Sequence, residues 1–266
     1  MTAIVKSKVG TVDLLDLDLV GEQQGRDSLP YPFRFTRPTR FAYLDEVQAY
    51  ATTLRERVRT GDLASFRRYF EALWNFDIEV SCHVQRMGPD TTCARALAVR
   101  HGQQGFLALQ PPDADVVDVY AVSPYDLGAA IAESAGLQKP GRHRRIVVPE
   151  FSRHLVRAAR DDESSVVIRQ STTQTAEVIV PESSVSAYAT VQSRWLPARR
   201  WGPDPQKPTL VWISVEGDGD YAYTDDHSHA TPLSRGALQE RVDLSISADI
   251  AMLRESRGEL SEASWP

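Results

Sequence analysis

Phe76-Asp77-Ile78-Glu79-Val80-Ser81-Cys82-His83-Val84-Gln85 alternates without a break: Phe76, Ile78, Val80, Cys82 and Val84 are apolar, and every residue between them is polar. Successive side chains of a strand point to opposite faces, so the pattern predicts a β-strand with one buried and one wet face. The seven residues Arg86-Met87-Gly88-Pro89-Asp90-Thr91-Thr92 carry turn chemistry, and residues 93–101 follow with Leu97 and Val99 as the large apolar side chains. A hairpin folded about Met87 and Gly88 sets Cys82 opposite Cys93, Ile78 opposite Leu97 and Phe76 opposite Val99, all on one face. Gly102 and Gly105 break the chain, and residues 106–109 and 116–122 continue the sheet as an antiparallel meander.

Upstream, residues 11–20 alternate Val12, Leu14, Leu17 and Leu19 with acids, which predicts a half-buried strand with a slip at Leu15. Residues 28–40 hold three prolines and fit an extended connector. Leu44, Val47, Ala51, Leu54 and Val58 recur at helical spacing; Gly61 stops that helix, and Asp62 is placed to cap a second one carrying Leu63, Phe66, Phe70 and Leu73. Downstream, Ser123-Pro124 predicts a helix start, with Leu127, Ile131 and Ser134 inward and Gly136 as the stop. A second round begins near Pro149-Glu150 with a short helix bearing Phe151 and Leu155, then candidate strands at 166–170 and 176–180. Residues 183–196 read as helical by the spacing of Val185, Tyr188, Gln192 and Trp195, and residues 200–208 read as a loop. Glu216-Gly217-Asp218-Gly219-Asp220 is a hairpin turn between strands at 210–215 and 221–224, and Thr231-Pro232 opens a last helix. The recurrence of hairpin, Ser/Thr-Pro and amphipathic helix about a hundred residues apart suggests a degenerate two-fold repeat.

The chain has 266 residues, 42% hydrophobic and 25% charged, and a net charge of −6. The acidic balance argues against non-specific binding to nucleic acid, and no apolar run approaches the ~18 residues that span a bilayer. Residues 1–15 lack the apolar centre of a signal peptide, so the expected location is cytoplasmic. Two cysteines, Cys82 and Cys93, are too few for a disulfide scaffold and are expected to be thiols.

Candidate chemistry is sparse. Asp225-Asp226-His227-Ser228-His229 is the one dense group of metal-capable side chains, but it reads better as a polar loop between a hairpin and a helix. The 216–220 turn lacks the ligand series of a calcium loop, and no G-x-S-x-G elbow or phosphate loop is present. Arg142-His143-Arg144-Arg145 is a basic cluster without interleaved aromatics and reads as a charged loop. Trp195, Leu196, Trp201, Trp212, Tyr221 and Tyr223 are candidate interface anchors; Trp201, in a proline-rich stretch, is the one expected to be exposed.

Several strings resemble the EspG family, the ESX (type VII) secretion-associated proteins of actinobacteria. They are Leu29-Pro-Tyr-Pro-Phe-Arg-Phe, Phe76-Asp-Ile-Glu-Val, Arg95-Ala-Leu-Ala-Val-Arg, Val119-Tyr-Ala-Val-Ser-Pro-Tyr-Asp-Leu-Gly, and Trp212-Ile-Ser-Val-Glu-Gly-Asp-Gly-Asp-Tyr. The resemblance spans residues 10–255 and is weakest over 160–208.

The resemblance implies an α+β fold: a central antiparallel sheet flanked by two helical bundles, with a quasi-two-fold internal repeat. That gives a single domain over 1–258, halves near 10–140 and 141–258, and a frayed tail at 259–266. It also implies a cytosolic chaperone, non-catalytic and without cofactor or metal, that covers the tip of a secreted helical protein such as a PE–PPE heterodimer. The contact falls on the loop after the second strand of the sheet, with the wet face of its flanking strands nearby. On this chain that loop supplies Arg86, Met87, Pro89, Asp90 and Thr91 as partner-binding candidates, with Trp201 added from its sequence setting. The alternatives are an enzyme with a dispersed polar or metal site near His227 and His229, and self-association as a homodimer through a sheet face or edge.

Overall fold

The computed structural model describes residues 4–88, 93–151, 178–197 and 201–262. Its centre is a sheet of eleven strands in the order β1-β5-β4-β3-β2-β8-β9-β10-β11-β6-β7. The strands are β1 Ser7–Asp13, β2 Ile78–Arg86, β3 Ala94–His101, β4 Gln104–Gln110, β5 Val116–Val122 and β6 Ile146–Val147. They continue as β7 Val178–Ile179, β8 Val185–Arg194, β9 Leu210–Val215, β10 Gly219–Tyr223 and β11 Ala230–Pro232. The pairings within β1–β5 are antiparallel, as the meander predicts, and β6–β7 is the parallel pair. The helices are α1 Leu14–Gln23, α2 Leu44–Arg59, α3 Arg67–Trp74, α4 Leu127–Ser134 and α5 Arg235–Glu262.

The register of the deciding hairpin differs from the expected one. Cys82 lies opposite Ala96, Ser81 opposite Leu97 and Glu79 opposite Val99. The slip is three residues, an odd number, so Leu97 and Val99 fall on the face of Glu79 and Ser81. Both faces of the sheet are covered, which is why either parity buries apolar residues. On one face Leu97, Val99, Ala108, Val117 and Val119 pack with α1–α3. On the other, Ile78, Val80, Cys82, Ala98 and Leu107 pack with residues of α4 and α5. The side of β2 read as wet is therefore largely interior, with Glu79 and Ser81 buried. A third cluster joins Val211, Ile213 and Val215 of β9 to Tyr221, Tyr223, Ile146 and Val180.

Other expectations are corrected by capping and by pairing partners. The strand expected over 11–20 ends at Asp13, whose Oδ1 accepts the Leu15 N–H at 2.8 Å and starts α1. Asp16, on the polar side of that pattern, is buried against Arg57 through two bonds of 2.9 Å and accepts the Tyr50 hydroxyl at 2.7 Å. Arg57 also holds Asp62, so Asp62 caps no helix; a 3₁₀ turn over Ala64–Phe66 leads into α3 instead. Ser123 accepts the Tyr125 N–H in a turn, and α4 begins only at Leu127. Thr231-Pro232 ends β11, and Ser234 Oγ accepts the Ala237 N–H at the start of α5. Residues 185–194 are strand, not helix: Val185, Ala187, Ala189 and Val191 are buried, and β2 and β9 supply an edge on either side.

Outward from the central β2–β8 pair the strands run β3, β4, β5, β1 on one side and β9, β10, β11, β6, β7 on the other, matched but for the extra edge strand β7. This matched order is a property of connectivity and does not by itself establish a repeat. Leu155 and the strand expected over 166–170 lie outside the described residues, and α5 carries the chain to Glu262, past the expected boundary at 258. The β1 edge is broken by a register shift between Lys8 and Gly10, which blunts edge pairing with another chain.

Candidate functional site

The hairpin end of β2 brings part of the expected contact loop to the surface. Arg86 is the last residue of β2, opposite Ala187 of β8, and the Met87 N–H donates to the Ser186 carbonyl at 2.8 Å. That bond holds Met87 at the sheet end with its side chain 37% exposed. Pro89, Asp90 and Thr91 lie outside the described residues. Beside Met87 a groove of about 580 Å³ runs between Gly88, Val185, Glu182 and Glu216. Its floor combines a thioether with a branched aliphatic, and its rim carries two exposed carboxylates. A flexible methionine adapts to an irregular apolar partner, and polar rims fix register.

One wall of this groove is the 216–220 turn, whose acids are structural. Asp220 is fully buried and accepts Ser214 Oγ at 2.5 Å and the Gln138 N–H at 2.6 Å. Asp218 accepts the Arg142 N–H at 2.9 Å, Arg142 Nε at 3.1 Å and the Tyr221 hydroxyl at 2.5 Å. Together they strap residues 138–143 across β10, so the basic cluster is a clamped segment and not a free basic patch. Burial drives the Asp220 carboxyl up, against the Ser214 and Gln138 hydrogen bonds and the nearby Arg86 charge. At Asp218 burial is outweighed by Tyr221 and Arg142, and the carboxyl sits below the usual aspartate range. A carboxyl whose pKa is depressed on folding contributes stability above its unfolded pKa of about 4 and loses it as the pH falls through the folded value. Asp218→Asn is accordingly expected to cost about 1–2 kcal/mol at pH 7, a deficit that closes as the pH falls from neutral through the depressed folded value. Urea melts of parent and variant across that range measure it, and a pH-independent deficit contradicts it.

Trp201 is 47% exposed, as its sequence setting predicts, while Trp212, Tyr221 and Tyr223 are core. Its ring meets Tyr31 edge-on at 5.0 Å, and its Nε1–H donates to the Phe33 carbonyl at 3.2 Å. The loop that carries it is held by Gln192 of β8, which bonds Asp204 through both amide atoms and reaches Thr209 Oγ1 at 2.9 Å. Leu29, Tyr31 and Phe33 are buried beneath, so the proline-rich connector is part of the interior. Trp201 lines a cavity at the Glu79 end of β2, whereas Met87 lines the groove at the other end. The structure does not bring Trp201 together with Arg86 and Met87.

The other candidates have local roles. His227 adopts φ 51° in a turn where Asp226 accepts Thr224 Oγ1 and Ser228 Oγ, which bring that carboxyl down to about 2. Among the described residues no group of three or more His, Cys, Asp or Glu is arranged to hold a metal. His83 is kept neutral, its pKa lowered to about 4 by burial and by the charges of Arg95 and Arg34. Cys82 is a buried thiol pushed up to about 12 by burial, and Cys93 is also free. No described helix is long and apolar enough to cross a membrane.

A model of the EspG family matches residues 13–243. No curated protein matches the chain. Among solved structures, the chain is similar to the Mycobacterium tuberculosis type VII secretion system chaperone EspG5, solved in complex with a PE25–PPE41 dimer. Identity there is 13% and the TM-score 0.47, over 88% of this chain and 93% of that one.

Proposed function

Because the chain belongs to the EspG family, we propose that it is a non-catalytic chaperone of type VII secretion, working in the cytoplasm on a helical, PE–PPE-like export substrate. The family match over 13–243 is the observation that carries this reading. The hairpin end of β2 is the surface assigned to the client. A chaperone of this kind needs no activated nucleophile; it needs an exposed apolar spot to bury against the client and polar groups around it to set register. Met87, with Val185 behind it and Glu182 and Glu216 at the rim, has that composition.

Met87→Asp places a charge on the apolar floor, and is expected to weaken capture of a co-expressed helical PE–PPE-like pair about 30-fold or more, the loss typical of an interface anchor. Its melting temperature should stay near that of the parent, because substitution of an exposed end residue falls within about 0.5 kcal/mol. Pull-down with titrated client measures the first quantity and a thermal melt the second. Undiminished capture by a folded Met87→Asp protein would remove the hairpin end from the contact, and failure of every helical export pair to bind the parent would remove the chaperone reading itself.

A further inference from the structure

The helix α5 turns one side to the sheet and the other to water. Leu238 and Val242 are buried, and Ile246 and Ile250 pack against the same core. On the far side Leu244 and Met252 are 65% and 52% exposed, with the exposed Ser245, Ala248 and Ala251 between them. Arg241, half-buried, and Glu255, exposed, close the strip at its two ends. Among the described residues the ion pairs of α5 are those of Asp249 and Arg257; Arg241 and Glu255 enter none.

The strip has the same layout from either end. Ser245 and Ala251 stand three positions from Ala248, Leu244 and Met252 four, and Arg241 and Glu255 seven. Steps of three, four and seven stay on one face of a helix, so all of these residues share the side of Ala248. An isologous two-fold interface requires such a layout, because residue i meets j and j meets i. With Ala248 on the axis, two antiparallel copies of α5 set Leu244 against Met252 and Arg241 against Glu255, each twice. Small residues at the centre let the two helices approach, the apolar pairs flank them, and opposite charges stand outermost. A parallel pair would set Arg241 beside Arg241 and Glu255 beside Glu255, which like-charge repulsion disfavours.

We infer that the outer face of α5 is a self-association surface, occupied by the same face of a second copy in antiparallel orientation. The strip from Arg241 to Glu255 runs about 21 Å at 1.5 Å per residue and is one helix wide. That is less than the ~800 Å² per partner of a standard interface. The dimer is therefore reversible, with an expected dissociation constant of about 10–100 μM. The surface is distinct from the sheet edges and from the Met87 groove.

Sedimentation of the full chain between about 1 μM and 1 mM measures the dimer, and thermal melts establish that each variant is folded. Leu244→Asp is expected to stay monomeric across that range. Arg241→Glu and Glu255→Arg should each weaken the dimer about tenfold, because each reversal creates two like-charge contacts. Mixing these two variants should restore association to the parental level, since one copy then carries acids at both ends of the strip and the other arginines. Single reversals without effect, with a mixture tighter than the parent, are the signature of a parallel pair and overturn the arrangement. A parent still monomeric at the highest concentration, or a mixture no better than its components, overturns the dimer. A monomeric parent whose folded Leu244→Asp variant loses capture of the helical PE–PPE-like pair would give the strip to the client instead. Capture at Met87 is read separately, so the two surfaces stand or fall independently.

Discussion

Arg194→Leu is expected to destabilise the protein by about 3–5 kcal/mol, because it leaves Glu79 ionised, buried and alone. Glu79 and Arg194 face each other across the β2–β8 pair at the centre of the sheet, 2% and 7% exposed. For a chain of this size that corresponds to a fall in melting temperature on the order of 10 °C. The deficit should shrink toward acid pH. Burial already raises the Glu79 pKa, and without Arg194 the penalty on the ionised form grows; it is full above the folded pKa, shrinks as the pH falls below that, and is gone once the pH is below the unfolded pKa. The double variant Glu79→Leu/Arg194→Leu should recover most of the loss, since an apolar pair of similar size needs no desolvation of charge. A single variant that melts within 2 °C of the parent, or a double variant no better than the single, would show that the pair is not desolvated.

Gly141→Ala is expected to cost about 3 kcal/mol, from overlap and not from backbone strain. A β-carbon at Gly141 would coincide with the Tyr221 ring. The ring has nowhere to move: Tyr221 is fully buried, its hydroxyl donates to Asp218 at 2.5 Å and accepts the His143 N–H at 3.0 Å. The same strap is pinned by a bond from Asp220 N to the Lys139 carbonyl at 2.8 Å, while a β-carbon at Gly219 would meet that carbonyl at 2.5 Å. Tyr221→Leu in the Gly141→Ala background should therefore be less damaging than the sum of the two single changes, because the overlap is removed. Urea denaturation of the four proteins supplies the cycle, and additivity within about 0.5 kcal/mol would contradict the clamp.

The meander over β2–β5 was legible because alternation and turn chemistry are local. Its register was not, since a hairpin loop of uncertain length leaves parity open and both parities bury apolar residues when helices cover both faces. Residues 185–194 satisfied two periods at once, Val185, Tyr188 and Gln192 at helical spacing and Val185, Ala187, Ala189 and Val191 at strand spacing; the free edges of β2 and β9 decided between them. The exposure of Trp201 could be read from its proline-rich setting, while the cavity it shares with Glu79 and Arg194 could not, because Glu79 lies more than a hundred positions from the other two. Asp218 and Asp220 looked like turn residues and are that, but nothing local signalled that they also hold residues 138–143.

By itself the sequence determined the class of the fold, the strands of the meander, the helix of α2 and, through its family strings, the kind of work the chain does; these rest on patterns within a few residues of one another. Only the tertiary structure decided which face each strand buries, which acids are clamps and where Met87 and Trp201 stand relative to each other. Those outcomes depend on partners brought together across the sheet, and burial, which sets the energy of each charge and each apolar group, exists only once the chain has folded.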